Sequence, residues 1–170
     1  VAHFFSHYYI YLLFPLFIQL KTEFQVSYTE LGLLLTAFSA TTGLTQTPFG
    51  FLVDRVGARK ILIGGLLVEG LAFLSMGFST DYWTLMALMV VAGCANGVYH
   101  PADYSILSAS VSSRRMGQAF SLHTFSGNAG FALAPMTIIF LSELIGWRNG
   151  LALCGAAGIA TAILLAFYSR

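Results

Sequence analysis

The sequence predicts an all-α membrane protein built from six transmembrane helices. Three observations carry this reading. Only 9% of the 170 residues are charged and 57% are hydrophobic, with a mean hydropathy of +0.78, whereas about a quarter of the residues in a soluble domain carry charge. The charges that exist are gathered at intervals, which leaves apolar runs near the roughly 20 residues a helix needs to cross a bilayer. These runs are continuous, about twice as long as a barrel strand and without alternating polarity, which selects helices over a transmembrane barrel.

Residues 1–20 contain no charge and form the first predicted span. Residues 31–53 contain none and form the second; residues 61–80 contain only Glu69 and form the third. Residues 82–113 contain only Asp103 and exceed one crossing, which predicts a fourth helix that tilts or projects from the membrane. Residues 116–142 and 149–169 are uncharged and complete the six. The connections, at 21–30, 54–60, around 81, 114–115 and 143–148, leave no room for a soluble domain, so residues 1–170 read as one transmembrane bundle.

The basic residues set an expected orientation. With the N-terminus cytoplasmic, Arg55, Arg59, Lys60, Arg114, Arg115 and Arg170 lie inside, and Lys21 and Arg148 lie outside. That asymmetry follows the positive-inside rule, and Trp83 and Trp147 then fall at the outer interface, where indole rings prefer to sit. A net charge of +1 with no basic stripe outside the loops excludes nucleic acid as a partner. Cys94 and Cys154 lie in apolar runs and read as small buried hydrophobes. The chain opens directly in an apolar run without an initiator Met or a basic lead-in, so a trimmed start is expected rather than a signal peptide.

Small residues mark expected helix contacts. Gly93 and Gly97 form a GxxxG in the fourth span, and Gly127 with Gly130 and Gly155 with Gly158 offer other faces where backbones can approach. Pro15, Pro48, Pro101 and Pro135 fall within predicted spans, where a proline frees a carbonyl and marks a bend.

The densest charge lies at Gly50-Phe51-Leu52-Val53-Asp54-Arg55-Val56-Gly57-Ala58-Arg59-Lys60. This stretch resembles the signature of the major facilitator superfamily, roughly G-x-L-a-D-r-x-G-r-k, matched at Gly50, Leu52, Asp54, Arg55, Gly57, Arg59 and Lys60. Ala58 before the basic pair shifts the spacing slightly. Further local likeness, at His3-Phe4, Glu23-Phe24 with Leu31-Gly32, Tyr99-His100-Pro101 and Gly127-Asn128-Ala129-Gly130 followed by Pro135, is similar to the fosmidomycin-resistance branch of efflux transporters. Ser6-His7 stands where that branch carries Asn-Asp, and Ala102 precedes Asp103 where it places an acid directly after His-Pro.

The resemblance implies a twelve-helix fold of two six-helix halves with the substrate between them. This chain would be the N-terminal half, with the C-terminal half absent. The seven matched residues would form a latch that changes contacts as the halves rock, with Gly50 permitting close helix approach, Gly57 a sharp turn and Asp54 an ion pair or a helix-terminus contact. A plain topology anchor is the other reading of the same residues.

Ionisable residues inside a membrane are costly and mark function by default. Asn96, His100 and Asp103 have i, i+4, i+7 spacing and share one helix face. At 1.5 Å per residue, His100 and Asp103 fall about 5–10 Å to the cytoplasmic side of the centre, at a depth similar to His123 and His7. Together with Asn128 and Glu69 they are the candidates for a substrate cavity or for proton coupling, because a carboxylate beside a histidine suits proton relay. Protonated histidines would suit an anionic substrate. His3 and His7 have metal-ligand spacing, but their span carries no acid, so no metal and no cofactor are expected.

The function expected from these residues and the resemblance is secondary active transport of a small solute by alternating access. It is expected as proton-coupled efflux of the antiporter kind in a bacterial or archaeal inner membrane. Organic-anion uptake, or sensing without transport on the same fold, are the alternatives. An enzyme is not expected. The chain has no GxxxxGK[ST] loop, and Thr124-Phe125-Ser126-Gly127 lacks the first glycine of an intramembrane serine protease motif, with its nearest histidine before the serine.

Overall fold

The computed structural model describes residues 1–168; Arg170 and residue 169, the end of the predicted sixth span, lie outside the described residues. The described residues fold as six helical rods. The first comprises α1 (Ala2–Leu12), a 3-10 turn (Phe14–Leu16) and α2 (Phe17–Phe24). The second and third are α3 (Tyr28–Val56) and α4 (Ala58–Met76). The fourth is α5 (Tyr82–Asn96) followed by α6 (Tyr99–Ser110). A 3-10 turn (Ser113–Arg115) leads into α7 (Met116–Ile145), and α8 (Trp147–Tyr168) closes the bundle. Among the described residues, three stretches, Tyr82–Ser110, Ser113–Ile145 and Trp147–Tyr168, are long and apolar enough to cross a membrane.

Proline chemistry explains the broken rods. Pro15 sits in the 3-10 turn that interrupts the first rod. Pro101 has no N–H to return to the carbonyl four residues earlier, at Gly97, and the helix breaks at Gly97–Val98 between α5 and α6. Pro48 and Pro135 lie inside α3 and α7, which continue past them.

The connections are tighter than the charge pattern predicts, because charge marks where a rod leaves apolar surroundings and not where its hydrogen bonds end. The 54–60 connection contracts to Gly57: Asp54 and Arg55 belong to α3, and Arg59 and Lys60 to α4. Gly57 has φ +99°, a conformation that a side chain disfavours. Gly146 plays the same part between α7 and α8, with φ +83°. At the other entries, local caps set the start. Ser27 Oγ accepts from the Glu30 amide at 3.2 Å, and Glu30 Oε2 accepts from the Ser27 amide at 2.7 Å, forming a capping box for α3. Asp81 caps α5 by accepting from the Thr84 amide at 2.9 Å and its hydroxyl at 2.6 Å. These bonds hold both exposed carboxyls below their ordinary values, through the backbone and then the hydroxyl of Ser27 for Glu30, and through the hydroxyl and then the backbone of Thr84 for Asp81.

Glycines set the helix contacts. α3 packs on α5, α4 on α8 and α5, and α1 on α7. A Cβ at Gly93 would fall 2.2 Å from Thr41 Oγ1, and one at Gly97 2.1 Å from Thr45 Oγ1. The Gly93–Gly97 pair at the end of α5 therefore seats against a threonine row of α3, where the Thr42 hydroxyl donates to the Gly93 carbonyl at 3.0 Å. A Cβ at Gly130 would fall 2.3 Å from the Phe4 carbonyl of α1, and one at Gly155 2.3 Å from the Leu74 amide of α4. Gly50 is different. Nothing lies within 4 Å of where its Cβ would be, so the close approach expected there is not made among the described residues.

At the end opposite Gly57, Arg148 ties three elements together. It pairs with Glu23 of α2 at 2.5 Å and donates to the Ser79 carbonyl, and its guanidinium stacks 4.4 Å over Trp147. Trp147 is buried and donates to Glu23 at 2.8 Å. Trp83 is 75% exposed, so the two tryptophans expected to share an interface have different surroundings.

Candidate functional site

The ionisable side chains gather in two adjoining places inside the bundle. The first is a histidine–aspartate cluster drawn from α1, α6 and α7. His3 is its centre. Its ring stacks on His123 with centroids 3.6 Å apart and an interplanar angle of 18°. It meets His7 edge-on at 4.5 Å and His100 at 5.5 Å. Asp103 Oδ2 lies 3.5 Å from His3 Nδ1. His7 is also held against Phe131 at 4.3 Å.

Two sequence features let these rings meet. His3 and His7 are one turn apart on α1, as His100 and Asp103 are on α6. Gly127 of α7 then clears the space: a Cβ there would fall 2.9 Å from His3 Nε2 and 3.2 Å from His7 Cε1. Among the described residues, His3 Nδ1, His7 Nδ1, His100 Nδ1, His123 Nε2 and Asp103 Oδ2 are buried without a hydrogen-bond partner, an uncommon state for polar atoms in a folded interior.

The second place is Glu69 of α4, which is 0% exposed. Its Oε1 accepts from Asn96 Nδ2 at 2.9 Å and its Oε2 from the Tyr99 hydroxyl at 2.7 Å. Asn96 also donates to the Ser6 carbonyl of α1 at 3.0 Å. This network holds α1, α4, α5 and α6 together at the level of the Gly97–Val98 break. Asn96 therefore serves Glu69, whereas His100 and Asp103, on the next helix, serve the histidine cluster.

A cavity of about 780 Å³ opens beside the cluster, with His3, Asp103 and His123 in its wall and Arg59 and Ser126 among its other polar residues. Arg59 Nη2 donates to the carbonyls of Leu165 and Ala166, each at 3.3 Å. This places it on the C-terminal turn of α8, where a cation is favoured. Asp54, Arg55 and Lys60 are exposed, and Asp54 forms no ion pair among the described residues.

The fold thus brings His7, His100, Asp103 and His123 together and puts Asn96 and Glu69 in an adjoining network. Asn128 stands apart, exposed on α7. The sequence reading missed the central place of His3. The available signal is its spacing to His7; that span carries no acid of its own, and the acid is Asp103, supplied by another helix. The expectation of no metal site rested on that same one-helix view. In the fold, His3, His100 and His123 each offer a ligand atom, all within 4.8 Å of one another.

A sequence profile described as Major Facilitator Superfamily matches residues 1–170. The membrane sensor protein UhpC of Escherichia coli (strain K12) is 30% identical over 145 residues, which covers 85% of this chain and 33% of that protein. The probable sulfoacetate transporter SauU of Cupriavidus necator is 26% identical over 153 residues, 89% of this chain and 35% of its own. The tetracycline resistance protein, class G, of Vibrio anguillarum is 29% identical over 139 residues, 80% and 35% respectively. The chain spans about a third of the length of these curated relatives.

Proposed function

Because the chain belongs to the Major Facilitator Superfamily, an integral membrane family of transporters, we propose that it forms one six-helix half of a secondary active transporter for a small solute, working by alternating access and driven by protons. All six rods then cross the bilayer, with the N-terminus cytoplasmic in an inner membrane, and a second six-helix half supplies the facing wall of the pathway.

The observation that carries this reading is the convergence of ionisable side chains from three helices, at His3, Asp103 and His123, on one cavity in an otherwise apolar bundle. Such groups are costly in a membrane and are kept where a solute or an ion passes. Glu69 is assigned the proton, as a fully buried carboxyl that meets neutral donors from two helices and no cation among the described residues. Tyr9 of α1 and Tyr99 of α6 are titratable groups beside it. In this reading the Gly50–Lys60 motif works as a latch. Gly57 forms the turn, Arg59 is engaged within this half, and the exposed Asp54 meets the second half.

The efflux direction rests on the motif likeness to the fosmidomycin-resistance branch alone; the relatives' names span sensing, organic-anion transport and drug resistance and do not single out that branch. Organic-anion transport is favoured by the likeness to a probable sulfoacetate transporter, and sensing without flux by the 30% identical sensor.

The test is transport by the full-length protein in proteoliposomes, with sulfoacetate and tetracycline as probes and an imposed pH gradient. Gradient-dependent movement of either probe supports the proposal, and the sign of the gradient that drives it gives the direction. Saturable binding of a probe with no flux under either gradient overturns transport in favour of sensing.

A further inference from the structure

We propose that His3, His100 and His123 form a binding site for a divalent transition-metal ion of the zinc, cobalt or nickel class, with Asp103 as the carboxylate that orients His3. Imidazole nitrogens are the preferred ligands of these ions, and three protein ligands that leave a position open are a common arrangement. The three residues come from α1, α6 and α7, so the site exists only in the folded bundle, and each offers one ligand atom within 4.8 Å of the others.

Four further features point to a ligand. His3 is 6% exposed, and its Nδ1 lies buried without a hydrogen-bond partner among the described residues. His100 Nδ1 and His123 Nε2 share that state, and a single ion meets both of them; on His3, whose Nδ1 faces Asp103, the nitrogen left for the ion is Nε2. Asp103 stands 3.5 Å from His3 Nδ1, as a second-layer carboxylate does when it fixes the tautomer of a ligating histidine. The cluster also borders the cavity of about 780 Å³, which gives an ion a way in.

The closing movement is small. Zinc–nitrogen bonds of about 2.0–2.1 Å put tetrahedral ligand atoms roughly 3.3 Å apart, so the nitrogens move inward by on the order of 1 Å. His3 and His123 are stacked face to face, and rotation of either ring about its Cβ–Cγ bond turns its in-plane lone pair toward the shared point. Both rings border the cavity, which provides room for that rotation. The ion would pin α1, α6 and α7 to one another.

The experiment uses the full-length protein, purified without a polyhistidine tag and titrated with Co²⁺ followed by visible absorption, then with Zn²⁺ as competitor. The expected result is one equivalent of saturable Co²⁺ displaced by Zn²⁺. Affinity should fall at least tenfold in His100→Ala and in His123→Ala, and about 10–100-fold in Asp103→Asn, the usual effect of removing an orienting carboxylate. Absence of saturable Co²⁺ uptake overturns the proposal, as does uptake unchanged in the His3→Ala/His123→Ala double variant. Should a variant fail to fold, X-ray absorption on the unmutated Co²⁺ protein decides. Two or three imidazole ligands support the site, and fewer than two overturn it.

Discussion

Arg59 Nη2 lies 3.3 Å from the carbonyl oxygen of Leu165, so a residue at the first turn of α4 closes the last turn of α8. Carbonyl oxygens near the C-terminal end of a helix favour a cation. Arg59 meets that preference on two carbonyls, since it also reaches Ala166 at 3.3 Å. Two rods that already pack along their length are thereby pinned at the end that carries Gly57. One charge of the signature stretch therefore acts inside this bundle, while Asp54, one turn before Gly57, stays exposed.

Removing that guanidinium should loosen α8 locally and leave the fold intact. In Arg59→Ala, amide exchange in the last turn of α8 should quicken about fivefold, corresponding to about 1 kcal/mol for a cation at a helix C-terminus. Arg59→Lys should recover part of this, because an ammonium keeps the charge but not the fork of donors. Equal exchange rates in all three proteins would show that the α8 terminus does not depend on Arg59.

How far the sequence could be read depended on whether a feature was local. Uncharged runs mark the rods because a lipid-facing surface tolerates few charges, and the positive φ of Gly57 follows from a glycine between two helical runs. The length of the connection at 54–60 was not legible, because Asp54 and Arg55 complete a last helical turn as readily as they would form a loop. Asn96 shares a helical face with His100 on paper, yet the break next to Pro101 places the two in different networks. The central place of His3 is illegible for a related reason. Its partners lie on α6 and α7, and no spacing within one helix reports how three helices are rotated toward each other.

Glycine seats offer a direct test of the packing. A Cβ at Gly155 would fall 2.3 Å from the Leu74 amide, which is backbone and cannot yield as a flexible side chain would, whereas nothing lies within 4 Å of a Cβ at Gly64. Gly155→Leu should destabilise the full-length protein by about 1–3 kcal/mol or more through overpacking. Gly64→Ala should be neutral or stabilising by up to about 1 kcal/mol, since alanine is the better helix former. Thermal unfolding in detergent, followed by circular dichroism, compares the two. Similar losses in both variants would contradict the α4–α8 contact described.

Acid sensitivity should be located at the two capped helix starts. Glu30 and Asp81 are held below their ordinary values by bonds from Ser27 and Thr84. The folded state thus favours the ionised carboxylates. Their contribution is present above the unfolded pKa values, which lie at about 4, and is lost as pH falls through the lower folded ones. Between about pH 6 and about pH 3, the unfolding midpoint should fall less in Glu30→Gln and Asp81→Asn than in the unmutated protein, because the variants have no such proton to gain. Identical acid slopes in all three proteins would remove these caps from the account.

Glu69 provides the sharpest test of the transport reading. Its two oxygens each accept from a neutral donor, Asn96 Nδ2 at 2.9 Å and the Tyr99 hydroxyl at 2.7 Å. No cation pairs with it among the described residues. An ionised carboxylate in that position is costly, and a carboxyl that takes up and releases a proton resolves the cost at one stage of a transport cycle. Glutamine keeps the shape. Its carbonyl can accept from Asn96, and the Tyr99 hydroxyl can rotate to accept from the new amide, so Glu69→Gln should alter stability by no more than about 1 kcal/mol. Alanine strands both donors, at about 1–3 kcal/mol for each. In proteoliposomes, Glu69→Gln should abolish accumulation driven by a pH gradient and spare exchange of labelled for unlabelled solute across the membrane, which needs no net proton movement. If gradient-driven accumulation survives in Glu69→Gln, the carboxyl is only a fastener between α4, α5 and α6, and the proton moves elsewhere. If exchange is lost along with accumulation while the midpoint of unfolding is unchanged, Glu69 acts on the solute pathway itself and the assignment of the proton to this side chain fails.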